Sequence, residues 1–161
     1  MFKPLLLCTL LTSMAFADDV VTFRHLSAEL AAEAVKTAMM ECRNNGYQVS
    51  AVVVDRAGNV QAVLRDNYAS RFTTEIAQRK ANAVILSGVD SGSFRKNRED
   101  IRQELNHIDG LIVMEGGIPI LAAGSLIGAI GVSGAPGGEK DAVCASAAVR
   151  SLEEKLAFVS D

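Results

Sequence analysis

The chain has no tryptophan, and aromatic residues fill only 5% of its 161 positions. That removes the stacking platform on which single-stranded nucleic acid is held. Basic residues are not in excess either: 16 Lys and Arg face 19 Asp and Glu, a net charge of −3. Without a positive footprint there is little to bind a duplex by counterion release, so no nucleic-acid partner is expected. Histidine is scarce, with only His25 and His107. Neither has a second His or Cys at helical spacing, so a multi-histidine metal site has no support. The 3 cysteines form no Cys-x-x-Cys pair, which argues against zinc or thioredoxin-like chemistry. The 49% hydrophobic content excludes a disordered chain.

What is present begins with a leader. Met1-Phe2-Lys3 is a short basic start, residues 5–11 form an apolar run, and Ala15-Phe16-Ala17 fits the small-x-small rule before Asp18-Asp19. This is the pattern of a secretory signal peptide, with cleavage predicted after Ala17 and a single mature domain over residues 18–161. The apolar run is too short for a membrane span of ~20 residues, and no later stretch is long enough. The mature chain is therefore expected in the periplasm or secreted, with no membrane span. Cys8 leaves with the leader. Cys42 and Cys144 remain, and in an oxidising compartment they either pair or stay as two buried thiols.

Along the mature chain, Ser27 is a candidate N-cap for a helix whose stripe is Leu30, Ala34, Ala38 and Cys42, ending near Asn44-Asn45-Gly46. Residues 49–55 and 60–64 read as a hairpin around Arg56-Ala57-Gly58-Asn59. Residues 70–87 and 94–106 read as helices, the second charged and amphipathic, its charges a solvated face. Residues 111–114, 118–121 and 126–132 read as three short strands, and 139–158 as a closing helix. Nine of the 13 glycines fall between Gly110 and Gly138. Hairpin connections imply an antiparallel sheet covered by helices, an α+β domain.

Three features could carry chemistry. The loop from Gly131 to Asp141, with Gly134, Gly137 and Gly138, leaves a strand and opens a helix. Such a junction suits a carboxylate or phosphate, although it equally suits a tight turn. It lacks the Gly-Lys-Ser/Thr ending of a phosphate-binding Walker loop. Lys80 falls among Ile76, Ala77, Ala81 and Val84, so it either snorkels or points at an anion or carboxylate. His25 is the one histidine outside a charged helix, and a haem needs only one or two axial ligands. Arg71 shares a helix face with Glu75 and Arg79, for which surface ion pairs are the ordinary account. No general acid or base stands out.

These residues resemble the GlcG/HbpS-like family of haem-binding or haem-degrading domains. The similarity covers about residues 26–156. It rests on Val52-Val53-Val54-Asp55-x-x-Gly58, Ile76-Ala77-x-x-Lys80-Ala81, Gly116-Gly117-Ile118-Pro119-Ile120, and Gly128-Ala129-Ile130-Gly131-Val132-Ser133-Gly134 continuing to Asp141 and Ala145. The resemblance implies a profilin-like three-layer α/β/α arrangement on a five-stranded antiparallel sheet, a homo-oligomer, and a role in haem handling. On that basis the chain is expected to be an exported haem-binding protein. His25 is the candidate axial metal ligand, and Lys80, Arg71 or the N–H groups of Gly134, Gly137 and Gly138 are candidates to hold the propionates. The competing expectation is an accessory module that binds a small organic acid at the glycine-rich junction.

Overall fold

The computed structural model describes residues 23–157. The expected leader and its cleavage point lie outside them. Helix α1 (Ala28–Asn44) is followed by strands β1 (Ser50–Asp55) and β2 (Val60–Arg65), then helix α2 (Phe72–Ser87). Two short helices, α3 (Ser91–Asn97) and α4 (Arg102–Leu105), flank a 3-10 turn at Glu99–Ile101. Strands β3 (Gly117–Ala122) and β4 (Ser125–Ser133) and the long helix α5 (Gly138–Ala157) complete the chain.

The strands form one antiparallel sheet in the order β2-β1-β4-β3. On one face, α1 and α5 bury the larger core, including Ala34, Ala38, Val53, Ile130, Val132, Ala145 and Leu152. On the other, α2 packs Ala77, Ala81 and Val84 against Val52, Val54 and Ala129. The result is three layers. Both faces of β4 are covered, so it is buried almost throughout and its sequence runs apolar without alternation. Strand β2 lies at the edge and turns Val60 and Val63 outward.

Small local signals set the element ends. The Ser27 hydroxyl accepts from the Leu30 N–H and caps α1. The Asp55 carboxylate accepts from the N–H groups of Ala57 and Asn59 and so ties the β1–β2 turn. Ala123 and Gly124 both take positive φ in the tight β3–β4 turn, as the twist of a two-residue hairpin requires.

Two expectations need correction. The sheet has four strands, not five. Residues 111–114 are irregular because their donors go elsewhere. The Val113 N–H is taken by the Asn106 side chain, the Leu111 N–H by Ile108 O, and the Met114 N–H by Ile112 O. Nor is 94–106 one helix. Arg98 and Ile101 leave the helical region, at φ −123° and −121°. Packing of Phe94 and Leu105 with Ala83 and Val113 favours the folded-back path. The glycines gain a sharper reason. Gly117 and Gly131 sit opposite each other on β3 and β4. A Cβ on Gly131 would strike Ala77 O, and one on Gly117 would strike Lys80 O. Their bare backbone lets α2 lie directly on the sheet.

The open question about the two mature cysteines is resolved: Cys42 of α1 and Cys144 of α5 form a disulfide, both sulfurs buried. The bridge spans 102 residues, so it constrains the unfolded chain strongly. Replacing both with serine is expected to lower stability by about 2–5 kcal/mol, read as a lower urea midpoint than that of the oxidised protein.

Candidate functional site

Lys80 is fully buried, yet its ammonium has two partners. Nζ donates to Asp141 Oδ2 at 2.7 Å and to the Val132 carbonyl at 3.0 Å. Asp141 is buried as well. Its other oxygen accepts from the Ala135 N–H at 2.9 Å. Burial pushes the Asp141 carboxyl above the usual carboxylate range, outweighing the Lys80 charge, the hydrogen bond from Lys80 and the Ala135 N–H. Lys80 therefore points at a carboxylate, one of the two readings its sequence setting allowed, and the carboxylate is the chain's own.

The glycine-rich loop is built around that pair. A Cβ on Gly116 would lie 2.8 Å from Lys80 Nζ, so this glycine leaves room for the ammonium. Gly134, at φ +135°, approaches Gln48 O and Val49 too closely for any side chain. Gly138 is crowded against Glu115 O in the same way. Close packing and positive φ thus give these glycines a tight-turn role, and within the loop the Asp141 carboxylate takes the Ala135 N–H.

Arg71 is exposed and stacks on the Phe72 ring at 4.1 Å. It precedes α2 at the end of the sheet where Ser50 Oγ meets Thr73 and Thr74 and pairs in register with Ser133. The glycine loop leaves this same end.

His25 lies at the opposite end, with the hairpin tips. It is exposed and lines a cleft of about 210 Å³ with Phe23, Arg56 and Ala57. A neighbouring cleft of about 260 Å³ continues past Phe23, Arg24 and Arg56 to Ala123 and Leu126 on the β3–β4 hairpin. The Arg56 guanidinium sits 5.1 Å above the Phe23 ring. Beneath them is Asp55. Burial pushes its carboxyl up, but hydrogen bonds from Asn59 and Ala57 and the charge of His25 bring it below its ordinary value.

The structure therefore divides the expected site residues. His25 stands apart from Lys80, Arg71, Gly134, Gly137 and Gly138 by the length of β4, about 26 Å at the usual strand rise. Phe23, two residues away in the same segment, and Arg56 of the β1–β2 turn share the cleft with His25. Asp141 was visible at the end of the glycine motif, but nothing local linked it to Lys80, 61 residues away.

A family model described as haem degrading protein HbpS-like matches residues 26–150. The chain belongs to this GlcG/HbpS-like family. The protein GlcG of Escherichia coli K12 is 28% identical over 108 residues, which cover 67% of this chain and 81% of GlcG. The crystal structure of HbpS superposes with a TM-score of 0.79 at 32% identity, covering 87% of this chain and 99% of HbpS. A PduOC:heme complex shares the fold at 21% identity, with a TM-score of 0.69 over 80% of this chain and 95% of PduOC. Among the described residues no helix is long and apolar enough to cross a membrane.

The buried pair makes a sharp prediction. Lys80→Ala or Asp141→Ala alone strands a charge and is expected to cost about 3–5 kcal/mol. The double change Lys80→Met/Asp141→Leu should cost less than either single change. Urea unfolding curves of the three variants check this.

Proposed function

We propose that the chain is an exported haem-binding protein in which His25 supplies the axial ligand. The observation that carries this reading is the shared groove of His25, Phe23 and Arg56 at the hairpin tips. The donor set fits the group: an accessible imidazole for iron, an aromatic ring for the porphyrin face, and guanidinium groups for the propionates. Bound there, haem would supply an iron centre for the imidazole. The chain's own residues would orient the group and pair its carboxylates. Membership of the HbpS-like family, and the haem in the PduOC structure, point the same way.

Each cleft is smaller than the ~300–1,000 Å³ of pockets that enclose a drug-sized ligand. A tetrapyrrole would span both and keep one edge open, to solvent or to a second copy in a homo-oligomer. Export is supported by the leader pattern and by the Cys42–Cys144 disulfide, a bond suited to an oxidising compartment.

Hemin titration tests the proposal. Wild-type protein should give a saturable Soret shift that His25→Ala abolishes or moves, while Arg71→Gln leaves it unchanged. Absence of a shift in wild type would sink the haem reading, and an unchanged spectrum in His25→Ala would sink the ligand assignment. Intact-mass measurement of exported protein should show residues 1–17 missing.

A further inference from the structure

Two steps of the described chain place glycine directly after Asn or Asp: Asn45-Gly46 at the end of α1, and Asp109-Gly110 ahead of residues 111–114. At either step the glycine nitrogen can attack the preceding side chain at Cγ, because glycine carries no Cβ to hinder the approach. Asn is a thermolabile residue, so on chemistry alone Asn45 is the one to react. The hydrogen bonds favour the opposite order.

Asn45 is exposed, yet both groups needed for the reaction are tied. Its Nδ2 donates to Glu41 O at 2.8 Å and to Glu41 Oε1 at 3.2 Å. The Gly46 N–H, which would attack, donates to Arg43 O at 2.8 Å. These bonds close the last turn of α1, beside the Cys42–Cys144 bridge. Bringing Gly46 N onto Cγ would strip the helix end of its partners.

Asp109 is exposed as well, and among the described residues its carboxylate makes no hydrogen bond or ion pair. It is the second residue of a β-turn that the Leu111 N–H closes onto Ile108 O at 3.1 Å. Gly110 takes the third place at φ +80°, which favours glycine. Such a turn engages the N–H of its fourth residue only. The Gly110 N–H has no acceptor among the described residues. A Cβ on Gly110 would meet nothing closer than Asn82 Nδ2 at 3.7 Å, so the turn is not crowded. An open carboxyl and a free N–H therefore stand side by side on a surface turn, where little packing opposes rearrangement.

We propose that Asp109 is a site of spontaneous isomerisation to isoaspartate. The Gly110 nitrogen forms a bond to Cγ. A carboxylate oxygen leaves as water, taking the N–H proton and one proton from solvent, and a succinimide ring results. Water then opens the ring. Addition at Cγ restores aspartate. Addition at the Asp109 main-chain carbonyl breaks its bond to the Gly110 nitrogen, and the chain then runs through Cβ and Cγ. The proton taken up is returned, so neither mass nor oxidation state changes. The product adds one methylene to the backbone inside the turn. That pulls on Gly110 O, which accepts from Asn82 Nδ2 at 2.9 Å. Nothing in this depends on the haem reading.

Peptide mapping with electron-transfer fragmentation tests it, on the oxidised full-length chain held in neutral buffer at physiological temperature. Isoaspartate should accumulate at position 109, and the protein should accept methyl groups from an isoaspartyl methyltransferase, while Asn45 keeps its amide mass. In urea with the disulfide reduced, Asn45 should deamidate first. Asp109→Glu, whose longer side chain would need a larger and less favourable ring, should lose the isoaspartate and most of the methyl acceptance. An unchanged far-UV spectrum and urea midpoint report that this variant is folded. No isoaspartate at 109 in the folded chain, deamidation of Asn45 ahead of it, or undiminished methyl acceptance in Asp109→Glu would overturn the site.

Discussion

The Lys80–Asp141 ion pair joins the two helical layers across the end of the sheet. Lys80 belongs to α2 on one face, and Asp141 to the first turn of α5 on the other. Two charges buried this deeply are tolerated only when their remaining hydrogen-bonding capacity is met. Val132 O and the Ala135 N–H meet it, which fixes the end of β4 and the loop that follows. Gly116 must be bare to leave room for the ammonium, and Gly117 and Gly131 must be bare so that α2 approaches closely enough for Lys80 to reach. The most glycine-dense part of the chain is the surround of one salt bridge.

That surround separates structure from chemistry along the sheet. The loop whose sequence most suggests a ligand is occupied by internal contacts. The accessible groups lie away from it: His25, Phe23 and Arg56 at the hairpin tips. An exposed histidine over a tied turn suits a ligand that arrives from solvent. Asp55 serves the turn with its hydrogen bonds, and the charge of His25 helps to hold its carboxyl below the ordinary value.

Most of the fold was legible because periodicity and turn chemistry are local. The Ser27 cap, the Asp55 turn, the Ala123-Gly124 hairpin and the apolar run of β4 all announce themselves within a few residues. Residues 111–114 misled because a short apolar run looks the same as a strand or as an irregular buried segment. What decided it was a side-chain acceptor, Asn106, that no pattern signals. The charged stretch 94–106 has helical spacing, but a small remote cluster around Phe94 bends it back. At the site, Lys80 was marked by its apolar setting, whereas its partner was set by tertiary packing alone. His25 was singled out by scarcity; that Arg56 shares its cleft depends on where the β1–β2 turn lies, which spacing does not reveal.

The disulfide has a topological meaning beyond its effect on stability. Every strand, α2 and the glycine-rich loop lie between Cys42 and Cys144, so the bond closes the whole sheet into a covalent ring. A peptide bond cut at an exposed tip such as Gly124 would open that ring without releasing a fragment. The two pieces would remain tied through α1 and α5, with the larger core still assembled around the bond. A cleavage that would otherwise divide the domain thus becomes a nick it can survive.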